Sequence, residues 1–184
     1  THFWDDSKKI LKKDFNFNWF LVARFISQFA TMGFSFYIIY ALRRFNMDAI
    51  TAGFLTATLT IAQTIANAGM GWLGDKWGHR SMLIIGATAA LASAILAWLA
   101  TSILWFYPIF LLTGLANVSI WTIGMAMTVD FGTEAERPLY IGLSQTLTAP
   151  ATILAPLLGG WIVDAAGFIP TFSISIILSI AMIG

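Results

Sequence analysis

The chain has 184 residues, of which 58% are hydrophobic and 10% charged, and its mean hydropathy is +0.79. Soluble domains carry roughly 45–50% apolar and about 25% charged residues, so a water-soluble globule is excluded and a membrane protein is indicated. A net charge of +1 says little as a sum, and the absence of cysteine excludes a disulfide frame or a thiolate metal site.

The first stretch, "THFWDDSKKILKKDF", lacks the apolar run of a secretory signal. It opens at Thr1 rather than Met, and so reads as the start of a piece cut from a longer chain. Phe3, Trp4, Leu11 and Phe15 gather on one helical face, while Lys8, Lys9, Lys12 and Lys13 crowd the rest. Residues 1–16 are therefore expected to form an amphipathic linker helix lying beside anionic headgroups. A solvated linker is the alternative.

A spanning helix needs about 20 mostly apolar residues, and only helices or closed barrels satisfy their backbone in lipid. The apolar runs here are unbroken and too long for the alternating strands of a barrel. An all-α membrane domain over 17–184 is expected, with spans at 17–42, 50–73, 81–101, 104–129 and 139–163. A sixth span at 168–184 is short or truncated. With alternating crossings, one side receives the four N-terminal lysines, Lys76, Arg80 and Arg137, and the other only Arg43 and Arg44. The positive-inside rule places the first side, with the N-terminus and the 74–80 loop, in the cytoplasm of what is expected to be the plasma membrane.

Polar groups inside a bilayer are costly, so their arrangement carries information. In the first span Arg24, Gln28, Thr31 and Ser35 follow the i, i+4, i+7, i+11 spacing of one helix face. The second span carries Thr56, Thr60, Gln63 or Thr64, and Asn67; the fourth carries Thr113, Asn117, Trp121, Gly124 and Thr128; the fifth carries Gln145, Thr148 and Thr152. The third span differs, with rows of small residues (Gly86, Ala90, Ala94 beside Ala89, Ser93, Ala97) that permit close helix contact. The sixth offers serines, whose hydroxyls can bond back to their own helix, and no amide or charge. Spans one, two, four and five are thus expected to face a water-accessible cavity, with three and six peripheral. Arg24, within two turns of the cytoplasmic end, either binds an anion or snorkels to the interface.

Between the second and third spans, "GWLGDKWGHR" places Gly71, Asp75, Gly78 and Arg80 in a G-x-x-x-D-x-x-G-x-R pattern. This resembles the cytoplasmic loop signature of the major facilitator superfamily. "DFGTEAERPLYIGL", with Glu136 and Arg137 ahead of Gly142, looks like that family's loop between the fourth and fifth helices of a half. "APLLGGWI", on Pro156, Gly159 and Gly160, resembles its proline-and-double-glycine segment. The resemblance implies a six-helix half that pairs with a second half around a mid-membrane substrate site. The fourth span lacks an Arg ahead of its glycines and the lead-in is basic, which resembles the C-terminal half.

The resemblance also implies a role for the charged knot. Asp75 would meet the positive end of a helix from the opposite half, and Arg80 would pair with Asp130 or Glu134, beside Arg137. Such contacts exist only when the cytoplasmic side is shut, so they act as a conformational latch. Positive-inside anchoring by Lys76 and Arg80 is the alternative, but it leaves Asp75 and the glycine spacing without a role.

No phosphate-binding glycine loop or nucleophile-and-base pair is present, and His2 and His79 lie outside the apolar runs. No catalysis, metal, cofactor or nucleic-acid partner is expected. Every Asp and Glu sits at a helix end or in a loop, so an acid that couples protons would belong to a missing half; otherwise the carrier is a facilitator or couples through Arg24. The expected function is secondary active or facilitative transport of a small solute by alternating access. Its cavity would be lined by Gln28, Thr31, Gln63, Asn67, Asn117, Trp121 and Gln145, with lipid and the other half as partners. The alternative is a helical membrane module that binds a partner protein or lipid and uses its polar stripes only for packing.

Overall fold

A computed structural model describes residues 3–183, with side chains from Ser7 onward. His2 and the side chains of Phe3 and Trp4 lie outside the described residues. Helix α1 (Phe3–Lys13) ends at Asp14, whose carboxylate accepts the Phe17 amide at 3.0 Å and so caps α2 (Phe15–Ala30). The lysines of α1 are exposed; Ser7 and Ile10 are buried, and Ile10 packs with Phe17, Phe20, Leu21, Tyr140 and Leu143. Phe15, expected on the apolar face of α1, instead begins α2 and is exposed.

The first span continues as α3 (Phe34–Phe45) after a turn at residues 31–33. Two hydroxyls cause a local bend here: Ser27 donates to the Arg24 carbonyl, and Thr31 donates to the Ser27 and Gln28 carbonyls, competing with the backbone ladder. Asn46, in the left-handed conformation at φ 48°, ends α3, and Asp48 caps the next helix by accepting the Thr51 amide.

Helix α4 (Ala49–Trp77) and helix α5 (His79–Leu99) are joined by Gly78 alone. At φ +82° this residue needs no Cβ and can reverse the chain in one step. The charged knot is therefore mostly helical rather than a loop over 74–80: Asp75 and Lys76 lie in the last turn of α4, His79 and Arg80 in the first turn of α5. The fourth span runs through a 3₁₀ turn (Ile103–Trp105), α6 (Phe106–Val118), a π turn (Ser119–Ile123) and α7 (Gly124–Thr128). Helix α8 (Arg137–Ala166) contains Pro150 and Pro156, and Gly167 separates it from α9 (Phe168–Ile183).

Five of these elements are long and apolar enough to cross a membrane: Phe15–Phe45, Ala49–Trp77, His79–Leu99, Ile103–Thr128 and Arg137–Ala166. Helix α9 is a shorter apolar helix. No strand occurs among the described residues.

The packing is crosswise. Span one, through α2, lies against α8 and α9; span four, through α6, lies against α4 and α5; and α5 packs on α9. The first helix of each three-helix unit thus rests on the second and third helices of the other unit. Since lipid is as apolar as a side chain, close contact rather than water exclusion holds such helices together. The small rows of α5 serve this directly: Gly86, Ala89, Ala90, Ser93, Ala94 and Ala97 are all buried. In α9, Ser173 bonds back to the Ile169 carbonyl, but the buried Thr171, Ser175 and Ser179 hydroxyls have no hydrogen-bond partner among the described residues. They are small packing surfaces rather than back-bonded groups. An aromatic cluster of Tyr37, Tyr40, Phe106 and Phe172 closes the end of the bundle opposite α1.

Candidate functional site

The bend in span one turns Gln28, Thr31 and Ser35 toward a cavity of about 330 Å³. Thr113, Asn117 and Trp121 of span four and Thr152 of span five also line it, beside Leu59 of span two. The volume is within the range of small-molecule sites. The remaining wall is apolar (Met32, Phe34, Phe110, Ala155 and Pro156), and no Asp, Glu, Lys or Arg reaches it.

Its polar groups are not equally available. Thr31 and Thr113 spend their hydroxyl protons on their own helix carbonyls. Gln28 accepts weakly from Thr152 at 3.5 Å and donates weakly to Ser27 at 3.5 Å, both at the long limit of a hydrogen bond. Asn117 has no hydrogen-bond partner among the described residues, so its amide is free to serve a ligand. Trp121 is 43% exposed and offers an indole face. It sits in the π turn, and Ile120, the preceding residue, lines a different cavity. Such π turns recur at functional sites because the extra residue re-aims side chains within a continuous helix.

Of the expected lining, the structure gathers Gln28, Thr31, Asn117 and Trp121, and leaves Gln63, Asn67 and Gln145 outside. Helix α4 uses Leu55, Ala62, Ala66 and Met70 as its buried face, which turns Thr56, Thr60, Thr64 and Asn67 onto an exposed one. Asn67 donates to the Gln63 carbonyl and accepts from Thr122, linking spans two and four. Ser35, Thr113 and Thr152 belong to the stripes read from spacing and could have been chosen on that ground. Phe34, Leu59 and Phe110 carry no polar signal by which sequence could find them.

Arg24 is 5% exposed and does not snorkel. Its guanidinium turns inward, donating to the Gly124 carbonyl at 3.3 Å, the Thr128 hydroxyl at 3.5 Å and the Ser144 hydroxyl at 3.4 Å. These bonds tie span one to spans four and five. No carboxylate pairs with it among the described residues, and its Nε has no partner.

On the basic side, Asp130 is held by His79 at 2.8 Å rather than by Arg80, and Glu134 lies 3.6 Å from Arg137, three residues on in the same segment. Asp75 and Arg80 are exposed and have no ion-pair partner among the described residues. A Cβ at Gly71 would meet open space, so close packing within this chain does not require that glycine, whereas Gly74 contacts His79 and Met82. In the following loop Glu136 accepts from the Thr133 amide and hydroxyl, which hold its carboxyl below the usual carboxylate range.

Five helices long and apolar enough to cross a membrane and a shorter apolar one, packed crosswise in two sets of three, make a polytopic all-α membrane bundle. Residues 20–184 match the family model of the Major Facilitator Superfamily, and the chain belongs to that family. It is 28% identical over 138 residues to "Multidrug resistance protein 2" of Bacillus subtilis (strain 168), covering 75% of this chain and 34% of that protein. It is 31% identical over 132 residues to "Solute carrier family 67 member A1" of Homo sapiens, covering 70% and 31%. It is 25% identical over 133 residues to "MFS-type transporter ppzB" of Metarhizium majus (strain ARSEF 297), covering 72% and 29%. The matched segment thus spans about a third of each of these relatives.

Proposed function

We propose that this chain is one six-helix half of a transporter that carries a small solute across the plasma membrane by alternating access. The 330 Å³ cavity is the observation that carries this reading, because it draws lining from spans one, two, four and five at the bend of span one. Its part of the substrate path is uncharged and half aromatic or aliphatic, which suits a neutral or amphipathic solute bound by the Asn117 amide and stacked on Trp121. A relative named for multidrug resistance is in keeping with such a wall. The exposed threonine stripe of α4 is the face offered to the second half, and the unpaired Asp75 and Arg80 are the latch groups free to meet it. The segment-by-segment charge bias supports a cytoplasmic N-terminus.

This chain has no cysteine of its own, so a thiol introduced into it is unique within it once any cysteines elsewhere in the full-length protein have been replaced by serine. In the full-length protein, Asn117→Cys and Thr152→Cys are expected to react with a water-soluble maleimide and to be protected by transported solute. Ile177→Cys, exposed on the apolar sixth helix, should stay unreactive. Silence at both cavity positions would leave a packing module as the better description.

A further inference from the structure

One charged contact joins two different spans. His79 Nδ1 lies 2.8 Å from Asp130 Oδ2, which links the first turn of α5 to the turn just past α7. Arg137 and Glu134, by contrast, are three residues apart in one segment. A Cβ at Gly74 would sit 3.6 Å from Cδ2 of the His79 ring, so the imidazole also lies beside the last turn of α4. Three helix ends therefore meet at one side chain. Water reaches the pair, since the His79 side chain is 28% exposed and that of Asp130 57%.

A carboxylate only accepts hydrogen bonds, so Nδ1 carries a proton in this geometry whatever the charge of the ring. The change of charge is then made at Nε2, and the bond to Asp130 survives it. Its strength does not. With Nε2 protonated the contact is an ion pair and a charge-assisted hydrogen bond; with Nε2 bare the donor is neutral and the bond roughly half as strong. A cation in the first turn of a helix opposes the macrodipole, so a charge at His79 has a local reason only while Asp130 is beside it.

The neighbouring charges do not duplicate this chemistry. Helix α5 packs on α4, α6, the π turn, α7 and α9. The last four contain no Asp, Glu, Lys, Arg or His, and the Tyr107 phenol lies at the far end of α6. Helix α4 ends with Asp75 and Lys76, and α5 adds Arg80. From α2, the Arg24 guanidinium reaches Thr128, two residues ahead of Asp130; Glu134, Glu136 and Arg137 follow in the loop and the start of α8. The ordinary titration ranges of all these side-chain types lie outside about pH 5.5–8, and that of imidazole lies inside it.

We propose that the His79–Asp130 pair is a pH-operated clasp between spans three and four. On the acid side of the imidazole range it is an ion pair that fastens the end of span four to the Gly78 corner, and on the alkaline side it relaxes to a neutral hydrogen bond. Under the proposed topology the pH it reads is that of the cytoplasm. The clasp goes beyond the transport reading and does not rest on it.

Three backbone bonds at the end of span four, from the Val129, Asp130 and Phe131 amides to the Ala126, Met127 and Thr128 carbonyls, report on the clasp. The test is hydrogen exchange of these amides in the full-length protein, read as protection relative to the intrinsic rate, at about pH 5.5 and about pH 8. Protection should be about threefold higher at the lower pH, the size expected of a partly exposed ion pair. His79→Gln, which leaves His2 in place, should abolish the difference. Asp130→Asn, which removes the counter-charge at nearly the same shape, should abolish it independently. His79→Arg, charged throughout, should keep the higher protection at both values. Equal protection at the two pH values in the original protein, or a pH response that survives in any of the three variants, overturns the proposal. No transport is measured, so the clasp and the transport reading fail separately.

Discussion

At Gly86 the packing of the third span comes down to one missing carbon. A Cβ there would collide with the Ser119 hydroxyl oxygen and Cβ, because the π turn pushes Ser119 into the gap, where it donates to the Met82 carbonyl at 2.8 Å. Gly86→Ala is therefore expected to cost about 1–3 kcal/mol, the range for overpacking. Thermal unfolding in detergent should show the loss, and Ser119→Gly in the same chain should recover most of it. A Gly86→Ala protein as stable as the original would mean the two spans do not meet this closely. Spacing alone marked Gly86 as a packing residue, since it begins a small-residue row. It could not name Ser119 as the partner, because that contact depends on an extra residue in a helical turn that no periodicity announces.

The elements show where local chemistry sets geometry. At the end of the bundle opposite α1, Phe172 is fully buried and its ring meets Tyr40 at 5.2 Å, edge on, and Tyr37 at 5.3 Å, so α9 is held to α3. Phe172→Ala should cost about 3 kcal/mol, the lower end for a buried Phe because lipid can refill part of the space; Phe172→Leu should cost distinctly less on the same melting curve. On the cytoplasmic side of the proposed topology, two hydrogen bonds from Thr133 to the Glu136 carboxylate order the turn that enters α8. Since the folded Glu136 carboxyl titrates below its ordinary value, its contribution is complete above the ordinary value and is lost as pH falls through the depressed one. The protection of the 132–137 amides relative to their intrinsic exchange rate at each pH should hold down to the usual carboxylate range and fall below it. Glu136→Gln should show low protection at every pH, and a protection factor that does not change with pH in the original protein would count against these bonds. The sequence marked this stretch only by its resemblance to a family loop, on Glu136, Arg137 and Gly142, and did not single out Thr133 as the partner of Glu136.

For the whole molecule, the crosswise contacts place spans one and four at the centre of the bundle, each against two helices of the opposite unit. Both bend or loosen near the middle, span one at residues 31–33 and span four at its π turn. In the proposed transport cycle these are the points at which a central helix can flex while α5 and α9 stay packed. The orientation is separately testable: in the full-length protein, a reporter active only in the cytoplasm should work when inserted just ahead of residue 1 and fail when inserted at 101–102, between spans three and four. The reverse pattern would invert the membrane topology.

The sequence by itself determined the class of solvent, the number of long apolar helices, the side-to-side charge bias and the family motif. Each follows from composition or from periodicity along a single chain. It also picked out Gln28, Thr31, Asn117 and Trp121, because polarity at helical spacing inside lipid is costly and therefore informative. Tertiary structure alone decided that Gln63, Asn67 and Gln145 lie off that cavity, that Asp130 goes to His79, and that Arg24 is buried without a counter-charge. Those outcomes depend on how each helix is rotated about its axis and on what its neighbours present. The packing of small residues sets that rotation, and Gly, Ala and Ser look alike along the chain until a particular partner fills the space beside them.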